Sequence, residues 1–135
     1  MADVNDVLQF LDEAGVFFLA TEDGDQAKCR PLGFKMVKDG HLCFGVGTHK
    51  NVYKQLLANP KCEITACVKD HWIRITGRAV PVEDPAYMAK AEEILPMLKD
   101  IYNEKSGLTL GIFYVQGTAE FCNIMGQAEK TVTLA

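Results

Sequence analysis

Short β-rich segments separated by glycine-containing turns restrict the fold of this chain more than any other feature. Residues 16–21 are too few and too β-rich for a helix, and the Asp-Gly pair that follows them is a strong hairpin signal. The chain returns through residues 26–37, turns at 38–40 and returns again through 41–46. This succession predicts a meander of antiparallel strands.

Three further segments have helical patterns. Apolar residues recur at helical spacing over residues 4–11, and Gly15 follows as a stop signal. A second helix is predicted after Gly47, with Thr48 as its N-cap. The third opens at Asp84-Pro85 and is ended or kinked by Pro96, with a further helical turn over 97–104.

Four more strands complete the predicted architecture. They are expected over residues 62–68, 72–82, 109–124 and 130–134, with a bulge at Gly77. The chain is therefore predicted to be mainly β, with α inserts. We expect residues 1–135 to form a single domain, a six- to seven-stranded antiparallel split β-barrel with about three helices.

Composition excludes several classes of protein. The 135 residues are 48% hydrophobic and 24% charged, as in soluble globular domains. The net charge of -4 argues against nucleic acid as a partner, because duplex binding requires a basic surface. No apolar run approaches the ~20 residues of a membrane-spanning helix, and the acidic N-terminus does not resemble a secretion signal. A cytoplasmic protein with no membrane contact is expected.

The cysteines do not form a recognisable framework. Their number is odd and no C-x-x-C motif occurs, which argues against paired disulfides and against a zinc site. We expect all of them to be buried or half-buried small hydrophobic residues, and no metal site is predicted. They are Cys29, Cys43, Cys62, Cys67 and Cys122.

A candidate anion site follows the strand that ends near Val46. A glycine-flanked turn leads into a helix there, and backbone N–H groups and the helix dipole attract anions at such a position. Lys50 adds a full charge, and Thr48 and Asn51 add hydrogen-bond donors. The alternative interpretation is a capped surface helix without a ligand. The glycines match neither a dinucleotide fingerprint nor a P-loop.

A second basic segment lies on the preceding strand. Arg30 has the fork of donors that grips phosphate, and Pro31 favours an edge or irregular position in a sheet. Gly33 allows a flat ligand to approach the backbone. Because Arg30 and Lys35 are five residues apart, they share a site only if Pro31 or Gly33 makes the strand irregular or if the ligand wraps around the sheet edge. Otherwise both are solvated charges that protect an edge strand.

The chain resembles the pyridoxamine 5′-phosphate oxidase-like family of FMN-binding split barrels. The resemblance extends from strand 17–21 to strand 118–120 and is most specific at Arg30 with Lys35, at Thr48-His49-Lys50, at the helix end before Pro60 and at strand 73–77. Its length and its C-terminal region are more similar to the short relatives grouped with nitroimidazole-resistance proteins and general-stress flavoproteins than to true pyridoxamine phosphate oxidases.

This resemblance implies a set of FMN contacts. The phosphate and ribityl chain would be held by Arg30, Thr48 and Lys50, and the ring would lie along Pro31 and Leu32. His49 replaces a family arginine, and Trp72 replaces a glutamine that faces the flavin. The implied cofactor-binding residues are Arg30, Pro31, Leu32, Lys35, Val46, Gly47, Thr48, His49, Lys50, Asn51 and Trp72.

The resemblance also implies a function. We expect a flavoprotein that passes electrons from a nicotinamide donor, NADH or NADPH, through FMN to a small acceptor, and a homodimer with the flavin at the subunit interface. No Ser/His/Asp set or carboxylate pair stands out, which suits a protein whose cofactor supplies the chemistry. The alternative is a non-catalytic module that binds flavin, senses redox state or binds haem, with His41, His49 or His71 as the axial ligand.

Overall fold

Hairpin turns and helix signals along the chain produce eight strands and four helices in a computed structural model that describes residues 2–135. The helices are α1 (Val4–Ala14), α2 (Asn51–Ala58), α3 (Pro85–Ile94) and α4 (Leu98–Ile101). The strands are β1 (Phe17–Asp23), β2 (Gln26–Leu32), β3 (Lys35–Lys38), β4 (His41–Gly47), β5 (Lys61–Val68), β6 (His71–Val82), β7 (Leu110–Cys122) and β8 (Ala128–Leu134). The mainly β prediction is confirmed, with one strand and one helix more than expected.

All eight strands belong to one antiparallel sheet. The order is β2-β1-β5-β6-β7-β4-β3, and β8 pairs with β7. The two ends of this path, β2 and β3, are joined by only Gly33 and Phe34, so the sheet must curl until its ends meet. The predicted single strand over 26–37 is therefore two strands, because the chain crosses from one end of the sheet to the other within it.

Strand β7 is where the barrel splits. It pairs with β6 from Ile112 to Cys122, while its other edge is shared between β4 at its start and β8 at its end. The predicted bulge at Gly77 is wrong, because the register there is regular and the irregularity lies at Phe121/Cys122. Gly77 faces Gly117, and a Cβ on either would collide with a carbonyl group of the other strand.

Helix α1 confirms its sequence signals. Asp3 closes a capping box, Val7 and Leu11 are buried, and the Gly15 N–H donates to the Leu11 carbonyl at 3.0 Å. Helix α2 does not begin as predicted, because its N-cap is Lys50 and not Thr48. The Thr48 N–H donates to the Thr109 carbonyl at 2.9 Å, which holds this residue in the ladder between β4 and β7.

The buried apolar residues form two clusters. The larger fills the barrel and is closed by α1 and α2, with Phe17, Phe44 and Phe113 among its most buried members. The smaller lies between β3, β4 and β7 and the helices α3 and α4. None of the helices in residues 2–135 is long and apolar enough to cross a membrane.

The cysteine prediction is correct for three of the five residues. Cys43, Cys62 and Cys122 are buried, whereas Cys29 and Cys67 are exposed because they lie on the outward face of the sheet. Burial raises the pKa of the Cys43 and Cys62 thiols to about 11, so both are inert thiols at neutral pH.

Candidate functional site

Residues 48–52, which comprise the turn after β4 and the first two residues of α2, are called the α2 corner. Thr48 is half-buried, whereas His49, Lys50 and Asn51 are exposed. The Lys50 N–H donates to the Gly47 carbonyl at 3.0 Å and closes the turn. The side chains of His49, Lys50 and Asn51 make no hydrogen bond or ion pair within residues 2–135, so they are available to a ligand.

Backbone donors are also available at the α2 corner. The first N–H groups of a helix have no acceptor inside it. In the described chain, those of Asn51 and Val52, together with that of His49, donate to no other group. Three free N–H groups and one lysine at the positive end of a helix dipole form an anion-binding arrangement.

Glycine allows the chain to pack closely beside the α2 corner. A Cβ at Gly47 would lie 2.6 Å from Cε1 of His49 and 3.4 Å from the hydroxyl of Tyr102. A Cβ at Gly111 would lie 3.3 Å from Cγ2 of Thr48. The His49 ring therefore lies directly over the β4 backbone, and any side chain at position 47 would displace it.

Arg30 contacts helix α2 at Gln55, about one turn beyond the α2 corner, and its guanidinium is engaged inside the protein. Nη1 donates to the Leu19 carbonyl at 3.0 Å and to the Thr21 hydroxyl at 2.7 Å. Nη2 donates to Oε1 of Gln55 at 2.9 Å. Partial burial lowers the pKa of Arg30, although an arginine remains charged at neutral pH.

Lys35 is also engaged, at a different place. Its Nζ donates to the Gly15 carbonyl at 2.8 Å and lies 3.7 Å from a carboxylate oxygen of Asp12, and its side chain is only 10% exposed. Arg30 and Lys35 both face inward because the chain breaks between β2 and β3. The partners of Lys35, Asp12 and Gly15, precede β1. Those of Arg30 lie within β1 and on α2.

Three other residues predicted to contact FMN differ in their exposure to solvent. Pro31 is exposed on β2, an end strand of the sheet path that pairs only with β1. Leu32 packs against the larger core, and Val46 is only 3% exposed within it. Pro31 is therefore the one of these three whose side chain faces solvent.

Trp72 lies far from the α2 corner. It pairs with Cys122 at the end of β7, whereas Gly47 pairs with Leu110 at its beginning. The ladder between β6 and β7 covers eleven residues from Ile112 to Cys122, roughly 33 Å measured along the strand. The indole N–H donates to the Asn123 carbonyl at 3.0 Å. Trp72 and Thr48 therefore lie toward opposite ends of β7.

Two clefts flank the α2 corner. The larger, about 660 Å³, includes Thr48, Tyr53 and Tyr102, but its charged lining residues are all acidic. These are Glu83, Asp84, Glu92 and Glu104. The second, about 490 Å³, lies along α2 and is lined by Asn51, Lys54 and Gln55 together with the acidic Glu22 and Asp23. The larger cleft carries four carboxylates and, among the described residues, no cation, so it is the less favourable side for a phosphate.

The histidines have different surroundings. His41 stacks on Tyr114, and its Nδ1 lies 3.0 Å from the Ala135 carbonyl oxygen. His71 contacts carboxylates with both ring nitrogens, whereas His49 makes no hydrogen bond within residues 2–135. The same residues hold no group of three His, Cys, Asp or Glu side chains arranged to bind a metal ion.

Sequence reasoning missed the partners of Arg30. Thr21 is only 3% exposed, and its hydroxyl donates to Oε1 of Gln55 at 2.6 Å. A signal was present, because Thr21 continues the inward-facing row of Phe17 and Leu19, and a buried hydroxyl requires a hydrogen-bond partner. Tyr53 and Tyr102 beside the α2 corner were also missed, since a tertiary contact brings them there.

Comparison with known proteins identifies the family. A family model described as pyridoxamine 5′-phosphate oxidase matches residues 5–109, which is well over half of the chain. The chain belongs to the pyridoxamine 5′-phosphate oxidase-like split-barrel family. No curated protein sequence matches it significantly.

Solved structures agree with this family assignment. A NimC/NimA family protein from Clostridium acetobutylicum is 34% identical, with a TM-score of 0.86 over 96% of this chain and 91% of its own. A pyridoxamine 5′-phosphate oxidase-related, FMN-binding protein from Nostoc punctiforme is 16% identical, with a TM-score of 0.68 over 92% and 86%. An FAD-binding protein from Mesorhizobium loti is 15% identical, with a TM-score of 0.63 over 87% and 92%. The last two show that the split-barrel fold is shared.

Proposed function

We propose that this split-barrel protein binds FMN, with the phosphate held at the α2 corner. The observation that carries the proposal is the set of three free backbone N–H groups, at His49, Asn51 and Val52, beside the unpaired Lys50 ammonium. A phosphate monoester offers oxygens to all of these donors, and charge-assisted hydrogen bonds are the stronger ones. Family membership and the FMN-binding relative support flavin as the ligand.

The donor set fits a terminal phosphate. Helix α2 has eight residues, and Asn51 at its start and Lys50 before it are exposed, so we expect a phosphate to approach from this side. Asn51 adds a side-chain donor, and the side chain of Thr48 lies at the edge of the acidic cleft. We expect the ring to extend from the α2 corner toward the β2 edge near Pro31, away from the acidic side chains.

The proposed activity is that of an oxidoreductase. FMN would supply the redox chemistry, taking electrons from NADH or NADPH and passing them to a small acceptor such as a nitro compound or a quinone. The protein's own groups would bind and orient the cofactor. The acidic residues Glu83, Asp84, Glu92 and Glu104 favour neutral or cationic acceptors over anionic ones in the larger cleft.

We also propose a homodimer that completes the flavin site. The outward face of β1 and the adjacent β2 exposes apolar surface at Phe18, which is 44% exposed, and at the neighbouring Pro31. Because Trp72 and the α2 corner lie toward opposite ends of β7, we expect a role for Trp72 at the flavin to come from a second copy. Light scattering coupled to gel filtration measures the mass, and a monomer in both apo and FMN-loaded forms would rule out this part of the proposal.

Absorbance of the purified protein tests the cofactor. The expected result is a yellow protein, or one that becomes yellow with added FMN, whose visible absorbance dithionite bleaches. A Soret band without flavin absorbance would instead indicate haem. Colourless protein that fails to bind added FMN would contradict the proposal.

Activity is tested separately from binding. FMN-loaded protein is mixed anaerobically with NADH or NADPH, and loss of flavin absorbance is followed before and after addition of a nitro compound or quinone. Reduction followed by turnover supports the oxidoreductase. If neither nucleotide reduces the bound flavin, the protein is a flavin carrier or sensor.

A further inference from the structure

Arg30 occupies a motif position that the family resemblance assigns to phosphate or ribityl contact, yet its guanidinium is directed into the protein. Three of its five N–H groups already donate to protein acceptors, at distances of 2.7–3.0 Å. The acceptors come from two elements, β1 and α2. A direct grip on phosphate would have to use the two remaining N–H groups or break this arrangement.

The arrangement is a closed polar triangle of Arg30, Thr21 and Gln55. The Thr21 hydroxyl accepts from Arg30 and donates to Gln55 at 2.6 Å, and Gln55 Oε1 also accepts from Arg30. Each side chain therefore hydrogen-bonds to the other two, and Arg30 is also held by the Leu19 carbonyl. Thr21 is almost fully buried, so loss of either partner leaves a desolvated hydroxyl poorly satisfied.

This triangle attaches α2 to the sheet close to the α2 corner. Gln55 lies four residues after Asn51, about one helical turn or 6 Å along the axis. The apolar contacts of Val52 and Leu56 hold the helix against the core, but they do not fix its rotation by hydrogen bonds. The directional hydrogen bonds to Gln55 do, and they thereby set where the free N–H groups of the first turn point.

We propose that Arg30 is a positioning residue that orients the α2 corner through Gln55 and does not contact the phosphate. This inference rests on the proposed FMN binding at the α2 corner. It assigns Thr21 and Gln55 to the same unit. The three residues should then behave as one element, in which removing any member has the effect of removing the others.

A double-mutant cycle tests this assignment. Dissociation constants for FMN and for riboflavin, which lacks the phosphate, are measured for wild type, Arg30→Ala, Gln55→Ala and the double variant. Each single change should weaken FMN by a similar factor, about 5- to 10-fold, and the double variant should be no weaker than the weaker single one. Riboflavin affinity should change little, because the misoriented corner contacts phosphate. Arg78→Ala, an exposed arginine of β6, is the control.

Two variants of Thr21 distinguish a loss of α2 orientation from a general loss of stability. Thr21→Ser keeps the hydroxyl and should retain FMN affinity, whereas Thr21→Val removes it and should match Gln55→Ala. If Gln55→Ala keeps wild-type FMN affinity while Arg30→Ala loses it, Arg30 is a direct phosphate ligand and the inference is wrong.

Hydrogen exchange in the absence of ligand distinguishes this failure from failure of the proposed function. Arg30→Ala and Gln55→Ala should both accelerate amide exchange in α2 more than in α3. Unchanged exchange in α2 overturns the positioning role even if FMN binds. Wild-type protein that binds neither FMN nor riboflavin would overturn the proposed function, whatever the exchange shows.

Discussion

Arg30 and Lys50 are both basic residues at motif positions, but the structure uses them differently. Arg30 donates three hydrogen bonds to β1 and α2, whereas Lys50 makes none within residues 2–135 and lies in solvent beside free backbone donors. The first is engaged by the fold, and the second is available to a ligand. The difference shows that a basic residue in a ligand motif has to be judged by its remaining hydrogen-bonding capacity.

The largest expected effect is on folding, from Arg30. Arg30→Met should lower the free energy of unfolding of the ligand-free protein by about 2–3 kcal/mol, because Thr21 and Gln55 lose a charged donor. Urea denaturation followed by circular dichroism measures this change. Arg78→Met, which removes an exposed arginine, should change stability by less than about 0.5 kcal/mol. Equal effects of the two changes would contradict the comparison.

Lys50 should show the opposite behaviour. Lys50→Ala should weaken FMN by about 10- to 100-fold, because one charge-assisted hydrogen bond to the phosphate is lost, while the unfolding midpoint of the ligand-free protein stays unchanged. Fluorescence titration with FMN provides the measurement. Lys54→Ala removes the same charge one turn further along α2, and it should have a clearly smaller effect. An equal loss in both variants would indicate general electrostatic attraction only.

Lys35 is a second basic residue that the fold engages, through a hydrogen bond just before β1. Lys35→Met should cost about 1–2 kcal/mol of stability through loss of the hydrogen bond to the Gly15 carbonyl, and it should leave FMN affinity unchanged. The ion pair with the exposed Asp12 contributes little, so Asp12→Asn should change stability by less than about 0.5 kcal/mol. Weaker FMN binding by Lys35→Met would place Lys35 at the ligand instead.

The smallest effect concerns His71, which like Arg30 is engaged within the protein. Hydrogen bonding to Asp70, with Glu129 on its other nitrogen, raises the pKa of His71 above its usual 6.5. A raised pKa means that the stabilisation is complete below about pH 6.5 and is lost as pH rises through the folded-state pKa. NMR titration should show a pKa above 6.5 that falls in Asp70→Asn. A titration at or below 6.5 in wild type would contradict this.

Prediction from sequence succeeded where the signals are local. The hairpin turns, the Gly15 stop of α1 and the Asp84-Pro85 start of α3 depend on residues close together in the chain. It failed where a distant strand intervened. Thr48 has the chemistry of an N-cap, but the carbonyl of Thr109 on the neighbouring strand engages its N–H, and the helix starts later. Glycine is needed at position 77 because the backbone around Gly117 on β7 approaches it closely. The residues next to Gly77 in the sequence do not indicate that contact.

The candidate site shows the same division. Motif spacing selected Lys50, Asn51 and the turn around them as candidate ligand contacts, and the structure leaves their side chains without hydrogen bonds within residues 2–135. It did not reveal that Arg30 is hydrogen-bonded inside the protein, since the partners of Arg30 come from β1 and α2, 9 to 25 residues away. Trp72 was grouped with the α2 corner, although the two lie toward opposite ends of β7.

The order of short strands, turns and caps in this sequence determined a mainly β chain with helical inserts, because each of those signals acts over a few residues. Only the tertiary structure decided which charges remain available. Closing the sheet between β2 and β3 turns Arg30 and Lys35 inward toward acceptors of other elements, and it leaves Lys50 outside. Hydrogen bonds between distant residues depend on how strands align in space, and a linear pattern does not contain that information.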